Sequence, residues 1–269
     1  MPELPEVETI KNELLPEVTG RKFTQVIIFD PKIIRGTTAY EFCQKLVGQK
    51  IEKLGRRGKY LIFELQASKT LIIHLKMAGA LLLNFQKPNH YIRALFHLDN
   101  GTSFAFYDKR RFGVMWLVED KETIVGKLGP EPLADEFTTE ILASRLKGRR
   151  APIKAVLLDQ NFIAGIGNMY ADEALFKAKI HPLRKADSLS PAEVQNLYQS
   201  IRETLWLAID NKGASVDAYV RPWGDLGTAH FNFQVAHRNT KPCPICGTPI
   251  KRLPLRNRGT YFCPNCQKL

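Results

Sequence analysis

Two Cys-x-x-Cys pairs close the chain, Cys243-Pro-Ile-Cys246 and Cys263-Pro-Asn-Cys266. Each such turn brings two thiolates to one side of an ion, and four thiolates satisfy tetrahedral Zn2+. Residues 241–269 are too few to bury a core, so metal binding must supply the folding free energy of this segment. Four protein ligands leave no coordination position open, which makes the single expected zinc structural. A thioredoxin-like redox role would need a Cys-x-x-Cys beside a βαβ pattern, and no such pattern is present. Cys43 falls on the apolar stripe of an expected helix and reads as a buried free thiol.

The remaining chain is long enough to build larger cores. The whole chain of 269 residues, 44% of them hydrophobic, suggests two domains and a small appendage. The formal net charge is +12, which implies a polyanionic partner. No apolar run approaches the ~20 residues of a spanning helix. The acidic N-terminus does not resemble a secretion signal. These features argue for the cytosol, where the partner would be DNA or RNA and cysteines hold metal in preference to forming disulfides.

The fold class expected is multidomain α+β. Residues 1–128 read mostly as short strands, as over 59–65, 71–75, 91–98 and 114–118, with Asp99-Asn100-Gly101 as a hairpin turn. They suggest an antiparallel β-sandwich or barrel flanked by helices over 5–15 and 38–47. The period then turns helical over 129–238, with a long amphipathic helix at 191–210 and a Gly-rich loop at about 213–235. Residues 239–269 form the zinc-bound β-hairpin.

Several residues outside the cysteines carry chemistry. Removal of Met1, allowed by a small second residue, would leave Pro2 as a secondary amine at the chain terminus. An α-amino group titrates near pH 7.7–8, so such an amine is a usable nucleophile toward a sugar aldehyde carbon. Gly165-Ile-Gly167-Asn168-Met-Tyr170 precedes a helix, with Asn168 as N-cap candidate, and Lys154 lies on the helix before it. Gly55-Arg-Arg-Gly-Lys59-Tyr60 is a basic turn entering a strand. His74-Leu-Lys-Met77-Ala-Gly79 ends another strand. Asp108-Lys-Arg110-Arg-Phe112-Gly113 places cations beside an aromatic, a combination able to wedge into a base stack. Arg252, Arg256 and Arg258 fall on the zinc hairpin, suited to phosphates.

Taken in order, these motifs resemble the bacterial formamidopyrimidine-DNA glycosylases of the helix–two-turn–helix superfamily. The match includes residues 2–8, 56–60, 74–79, 108–113, Gly129-Pro-Glu-Pro132, 165–170 and the tail with Arg258-Gly-Thr. The resemblance implies a bifunctional glycosylase and lyase of base excision repair, acting as a monomer on damaged double-stranded DNA. It implies Pro2 as nucleophile at C1′, Glu3 as general acid/base and Glu6 as a support near the terminus. Lys59, Asn168 and Arg258 would hold phosphates, with Lys59 and Arg258 counted in the catalytic set and His74 assisting on the backbone. Met77, Arg110 and Phe112 would fill the void left by the flipped nucleotide. Lys154 and Tyr170 join the DNA-binding set. A start of Glu-Leu-Pro separates the chain from endonuclease VIII, whose start reads Glu-Gly-Pro. The pattern departs from the family at Ala78, in the loop 216–233 and at Ala236-His237, so preference among 8-oxoguanine, ring-opened purines and oxidised pyrimidines stays open. So does a non-catalytic damage-binding role should Met1 be retained.

Overall fold

The computed structural model describes residues 1–85 and 89–269. The chain forms two compact units, Met1–Lys127 with Asn211–His230, and Leu128–Asp210 with Phe231–Leu269.

The first unit begins with α1 (Leu4–Val18). Val7, Ile10, Leu14 and Val18 recur at helical spacing and are fully buried. Pro5 lies in the first turn, where its missing N–H has no partner to lose. The helix runs one turn beyond the expected end at residue 15, through Pro16, because Val18 completes the buried stripe. Next come β1 (Phe23–Ile28), β2 (Ile34–Arg35), α2 (Ala39–Leu46), β3 (Ile51–Arg57), β4 (Tyr60–Leu65), β5 (Lys69–His74) and β6 (Gly79–Leu83). They are followed by β7 (Ile92–Leu98), β8 (Ser103–Asp108), β9 (Val114–Val118) and α3 (Glu122–Val125).

The strands make two sheets, ordered β1-β7-β8-β6 and β2-β9-β5-β4-β3. Pairing is antiparallel except at the short β2–β9 contact. Phe63 of one sheet stacks on Phe104 of the other at 5.9 Å, and Phe96 stacks on Phe104 at 4.6 Å. This is the expected sandwich, with α1 and α2 contributing to the same core.

The second unit holds α4 (Thr139–Leu146), α5 (Ile153–Leu157), α6 (Asn168–Lys177), α7 (Pro191–Asp210) and the hairpin β10 (Lys251–Leu255) with β11 (Arg258–Phe262). Thr138 caps α4 by accepting from the Ile141 N–H. Among the described residues, no helix is long and apolar enough to cross a membrane.

Two placements differ from the sequence reading. Residues 211–230, expected within the helical region, pack with the sandwich because Tyr219 is buried in its core. The zinc hairpin packs with the helices: Phe176 of α6 shares a cluster with Cys243, Ile250 and Cys263.

Candidate functional site

Strand register gathers several of the singled-out residues at one end of the sandwich. Tyr60 pairs with His74, His74 with Val114, and Gly79 with Asp108. The connections before Tyr60, between His74 and Gly79, and between Asp108 and Val114 therefore emerge together. They carry Lys59, Met77, Arg110 and Phe112.

At the chain start, Pro2 is buried and Glu3 is only 2% exposed. Glu3 precedes α1 and closes a capping box with Glu6, whose Oε2 accepts from the Glu3 N–H at 2.7 Å. Glu6 is fully buried, and its Oε1 accepts from the Ala214 N–H at 2.8 Å. One carboxylate thus fixes both the acidic residue beside Pro2 and the neck of the 211–230 loop. Further along α1, Glu8 accepts from Arg56 Nε at 2.7 Å, and Arg56 donates to the Gly58 carbonyl at 2.9 Å. Burial opposes ionisation of Glu8, but Lys11 and Arg56 outweigh it and hold the carboxyl below its usual range. Arg56 therefore bolts α1 to the turn that carries Lys59.

Lys59 is 7% exposed and His74 is 9% exposed. Burial, then the charges of Lys76 and Lys59, push the His74 imidazole down to about 3. Its Nδ1 accepts from the Lys76 N–H at 2.9 Å. A neutral ring with Nδ1 accepting presents Nε2–H as a donor, a state suited to a phosphate oxygen at neutral pH. The native state refuses a proton that the unfolded chain takes up below about pH 6.5. Stability from this site is therefore fully present above pH 6.5 and is lost as pH falls toward 3, by at most about 1.4 kcal/mol per unit. In His74→Gln, urea midpoints at pH 7 and 4.5 should lie closer together than in the parent; parallel shifts would contradict this account.

Met77, Arg110 and Phe112 are displayed by two restrained turns. The Gly79 N–H donates to the Leu75 carbonyl at 3.0 Å, and Met77 at the bend is 40% exposed. Asp108 is fully buried and accepts from the Arg110 N–H at 2.9 Å and the Gly113 N–H at 2.7 Å. Arg111 within this turn has φ +59°. A Cβ at Gly113 would lie 2.3 Å from the Phe106 ring, so glycine is required there. The turn projects Phe112, 50% exposed, with the Arg110 guanidinium 5.0 Å from its ring centroid.

In the second unit the expected phosphate set divides. Arg258 is exposed at the hairpin tip, beyond Arg256 and Asn257 at φ +46° and +60°. Asn168 is the first residue of α6 rather than its N-cap, a position held by Gly167. Its Nδ2 donates to the Gly259 carbonyl at 3.0 Å. Lys154, expected on DNA, has a fully buried side chain. Its ammonium meets Asp172 Oδ1 at 2.7 Å, donates to Thr260 Oγ1 at 2.9 Å and reaches the Gly259 carbonyl at 3.3 Å. Burial pushes the Asp172 carboxyl up to about 7, against the pull of Lys154. Lys154 and Asn168 thus hold the backbone next to Arg258. Tyr170, also expected on DNA, is 1% exposed and packs edge-on to Phe233 at 6.0 Å. Both side chains are buried in packing that joins distant parts of the chain.

Lys154→Met should cost ~3–5 kcal/mol, because it strands a buried carboxylate. Adding Asp172→Leu should recover most of that loss. Chemical denaturation of the three chains checks this, and equal stability of Lys154→Met and parent would refute it.

Arg149 and Arg150, which the motif reading did not single out, line a cavity of about 180 Å³ together with Asp159 and Arg256 of the hairpin turn. Adjacent arginines at 149 and 150 were the available signal.

The four cysteine sulfurs lie within 4.8 Å of one another. The separations Cys246–Cys263 and Cys246–Cys266 are 3.5 Å, and Cys243–Cys266 is 3.9 Å. A tetrahedron with Zn–S of 2.3 Å requires S···S of about 3.8 Å, so the set fits one structural zinc ion. Thr248 and Asn265 hydrogen bonds pull Cys246 down to about 5, while burial and neighbouring sulfurs push Cys266 up. A central cation reconciles these thiols.

Three family models cover most of the chain. The formamidopyrimidine-DNA glycosylase N-terminal domain matches residues 1–115, its H2TH domain residues 128–219, and the zinc finger found in FPG and IleRS residues 241–269. The chain belongs to the formamidopyrimidine-DNA glycosylase family. It is by membership a DNA glycosylase of base excision repair. It is 44% identical to the formamidopyrimidine-DNA glycosylase of Symbiobacterium thermophilum, over 99% of this chain and 89% of that protein. It is 43% identical to that of Pelotomaculum thermopropionicum over the full length of both. Among solved structures, the MutM (FPG) protein of Thermus thermophilus superposes with a TM-score of 0.90, at 39% identity over 99% of this chain and 98% of that one. A Lactococcus lactis FPG mutant in complex with a Fapy-dG containing DNA gives 0.93, at 32% identity over all of both chains.

Proposed function

We propose that this glycosylase excises oxidised purines from duplex DNA through a covalent intermediate at Pro2, and then cleaves the strand. The observation that carries this reading is the Pro2-Glu3 start, buried and locked by Glu6 at the head of a helix tied to the Lys59 turn. The chemistry requires Pro2 as a free amine, so Met1 must leave. The Pro2 nitrogen attacks C1′ of a flipped nucleotide while Glu3 transfers protons at the opening sugar, and the base departs with its bonding electron pair and a proton. The remaining N–H proton passes through Glu3 to the ring oxygen O4′ as the C1′–O4′ bond breaks, which gives an iminium and a 4′ hydroxyl; the iminium acidifies the C2′ hydrogen. Its removal expels the 3′ phosphate, and a second elimination expels the 5′ phosphate.

Other roles follow from exposure and charge. Lys59 and His74 take a phosphate at the same end of the sandwich as the wedge, and Lys59 assists the elimination. Met77 and Phe112 fill the vacated stack, with Arg110 toward the unpaired base. In the second unit, Arg258 takes a backbone phosphate and assists the second elimination, supported by Asn168. The formal charge of +12 suits such a duplex partner and makes binding salt-dependent.

The test is borohydride reduction of the mature protein with duplexes bearing 8-oxoguanine, a formamidopyrimidine, thymine glycol or an abasic site. An adduct at Pro2 with purine lesions and the abasic site is expected. No adduct on any of them would overturn the reading.

A further inference from the structure

The loop between α7 and the second unit's tail is pinched at its neck. The Thr228 N–H donates to the Asn211 carbonyl, the Ala229 N–H to the Gly213 carbonyl, and the Gly227 N–H to Ser215 Oγ, each at 2.9 Å. Glycine is needed at 227, where a Cβ would lie 2.2 Å from the Gly213 carbonyl oxygen. On one side the neck is held by Glu6 through Ala214.

A second attachment lies seven residues further along α1, about 10 Å at the helical rise. Arg221 Nε and Nη2 both meet Glu13 Oε1 at 2.7 Å. Beside it, Tyr219 is buried in the sandwich core and donates its hydroxyl to the Lys212 carbonyl at 3.0 Å. The Pro222 carbonyl accepts from the Leu83 N–H of β6 at 2.8 Å. Between the two attachments lie residues 215–218, which follow Ala214, itself held by the carboxylate that orders Glu3. The other exposed stretch, with Trp223 and Leu226, lies beyond the second attachment.

We infer that Glu13 and Arg221 form a latch that sets the conformation of residues 215–218 and thereby decides which damaged bases are accepted. The inference rests on the glycosylase reading above. The pair touches no substrate; it is a positioning pair acting through the loop. It outweighs the other ion pair of Arg221, because Asp225 stands 3.9 Å away and is largely exposed. Glu13 Oε2 is buried without a hydrogen-bond partner, so the carboxylate is engaged through one oxygen instead of a closed two-oxygen fork.

The experiment compares Glu13→Gln, Arg221→Met and the double variant in full-length, zinc-loaded protein. Two substrates separate the roles. Excision of 8-oxoguanine or a formamidopyrimidine requires the base to be read, whereas cleavage at a preformed abasic site does not. Each single variant should lower kcat/KM for base excision roughly ten- to a hundredfold, the scale of a small misplacement at a reacting centre. Abasic-site cleavage should stay within about twofold. The double variant should lose no more than the worse single one, as expected of two residues acting as a unit. Hydrogen exchange should rise over 215–226 and stay unchanged over β7 and β8, which separates unlatching from global unfolding. Equal losses on both substrates, unchanged excision, or additive losses would overturn the latch. A parent protein inactive on every substrate would overturn the glycosylase reading itself.

Discussion

A chain that keeps Met1 should form no covalent adduct with damaged DNA and should not cut it. With Met1 attached, the Pro2 nitrogen belongs to a tertiary amide. Its lone pair is delocalised into the carbonyl, and it can neither attack C1′ nor carry an iminium. The loss should be complete for borohydride trapping, because no other group in the proposed scheme forms the bond. Glu3→Gln should behave differently. It keeps the capping geometry around Glu6 and removes only the carboxyl proposed to transfer protons. Base excision should fall by about 10²–10⁴, the usual worth of a positioned acid or base. Trapping at a preformed abasic site should fall less, since no base remains to be expelled. Intact mass establishes the terminus, and single-turnover excision gives the rates. Full activity in a chain shown to retain Met1 would remove Pro2 from the mechanism.

Stripping the zinc has the second largest expected effect. Structural zinc in small fingers contributes about 10–16 kcal/mol of apparent binding free energy at neutral pH. Residues 241–269 have little else to hold them: the small cluster around Cys243, Ile250 and Cys263 rests on Phe176 and Val235. Without the ion, β10 and β11 should melt and Arg252, Arg256 and Arg258 should lose their fixed geometry. Damage outside the finger follows from Gly259 and Thr260, which accept from Asn168 and Lys154. Their loss leaves a buried ion pair short of partners in the helical unit. Duplex affinity should fall on the order of a hundredfold near physiological salt, with a shallower salt slope because fewer phosphates are neutralised. Cys246→Ser should reproduce the defect, and readded zinc should reverse it only in the parent. Metal content, hydrogen exchange over β10–β11 and a salt titration of binding read these effects. Tight, salt-steep binding by metal-free protein would contradict them.

Much of the site was legible because its signals are local. Cys-x-x-Cys spacing encodes two ligands per turn. The alternation over 59–65 and 114–118 encodes strands, and Asp99-Asn100-Gly101 encodes the turn that joins β7 to β8. The Glu3–Glu6 capping box spans three residues. Exposure of Met77 and Phe112 follows from tight turns whose glycines and Asp108 are adjacent in sequence.

Lys154, Tyr170 and Asn168 show where such reading stopped. A lysine beside a glycine turn looks like a phosphate ligand until Asp172 and Thr260 are seen to surround it. Thr260 lies 106 residues away, and no local pattern announces it. The 211–230 loop is the same case, with its attachments to Glu6 and Glu13 each 208 residues distant.

The sequence by itself determined the zinc ligand set, the α+β class and the net positive charge, because each depends on residue type and short-range geometry. Only the tertiary structure decided which cations face outward and which are struts, and to which unit the loop belongs. Those outcomes depend on burial. A charge is driven to a buried partner or left in water by neighbours that the chain brings together only on folding.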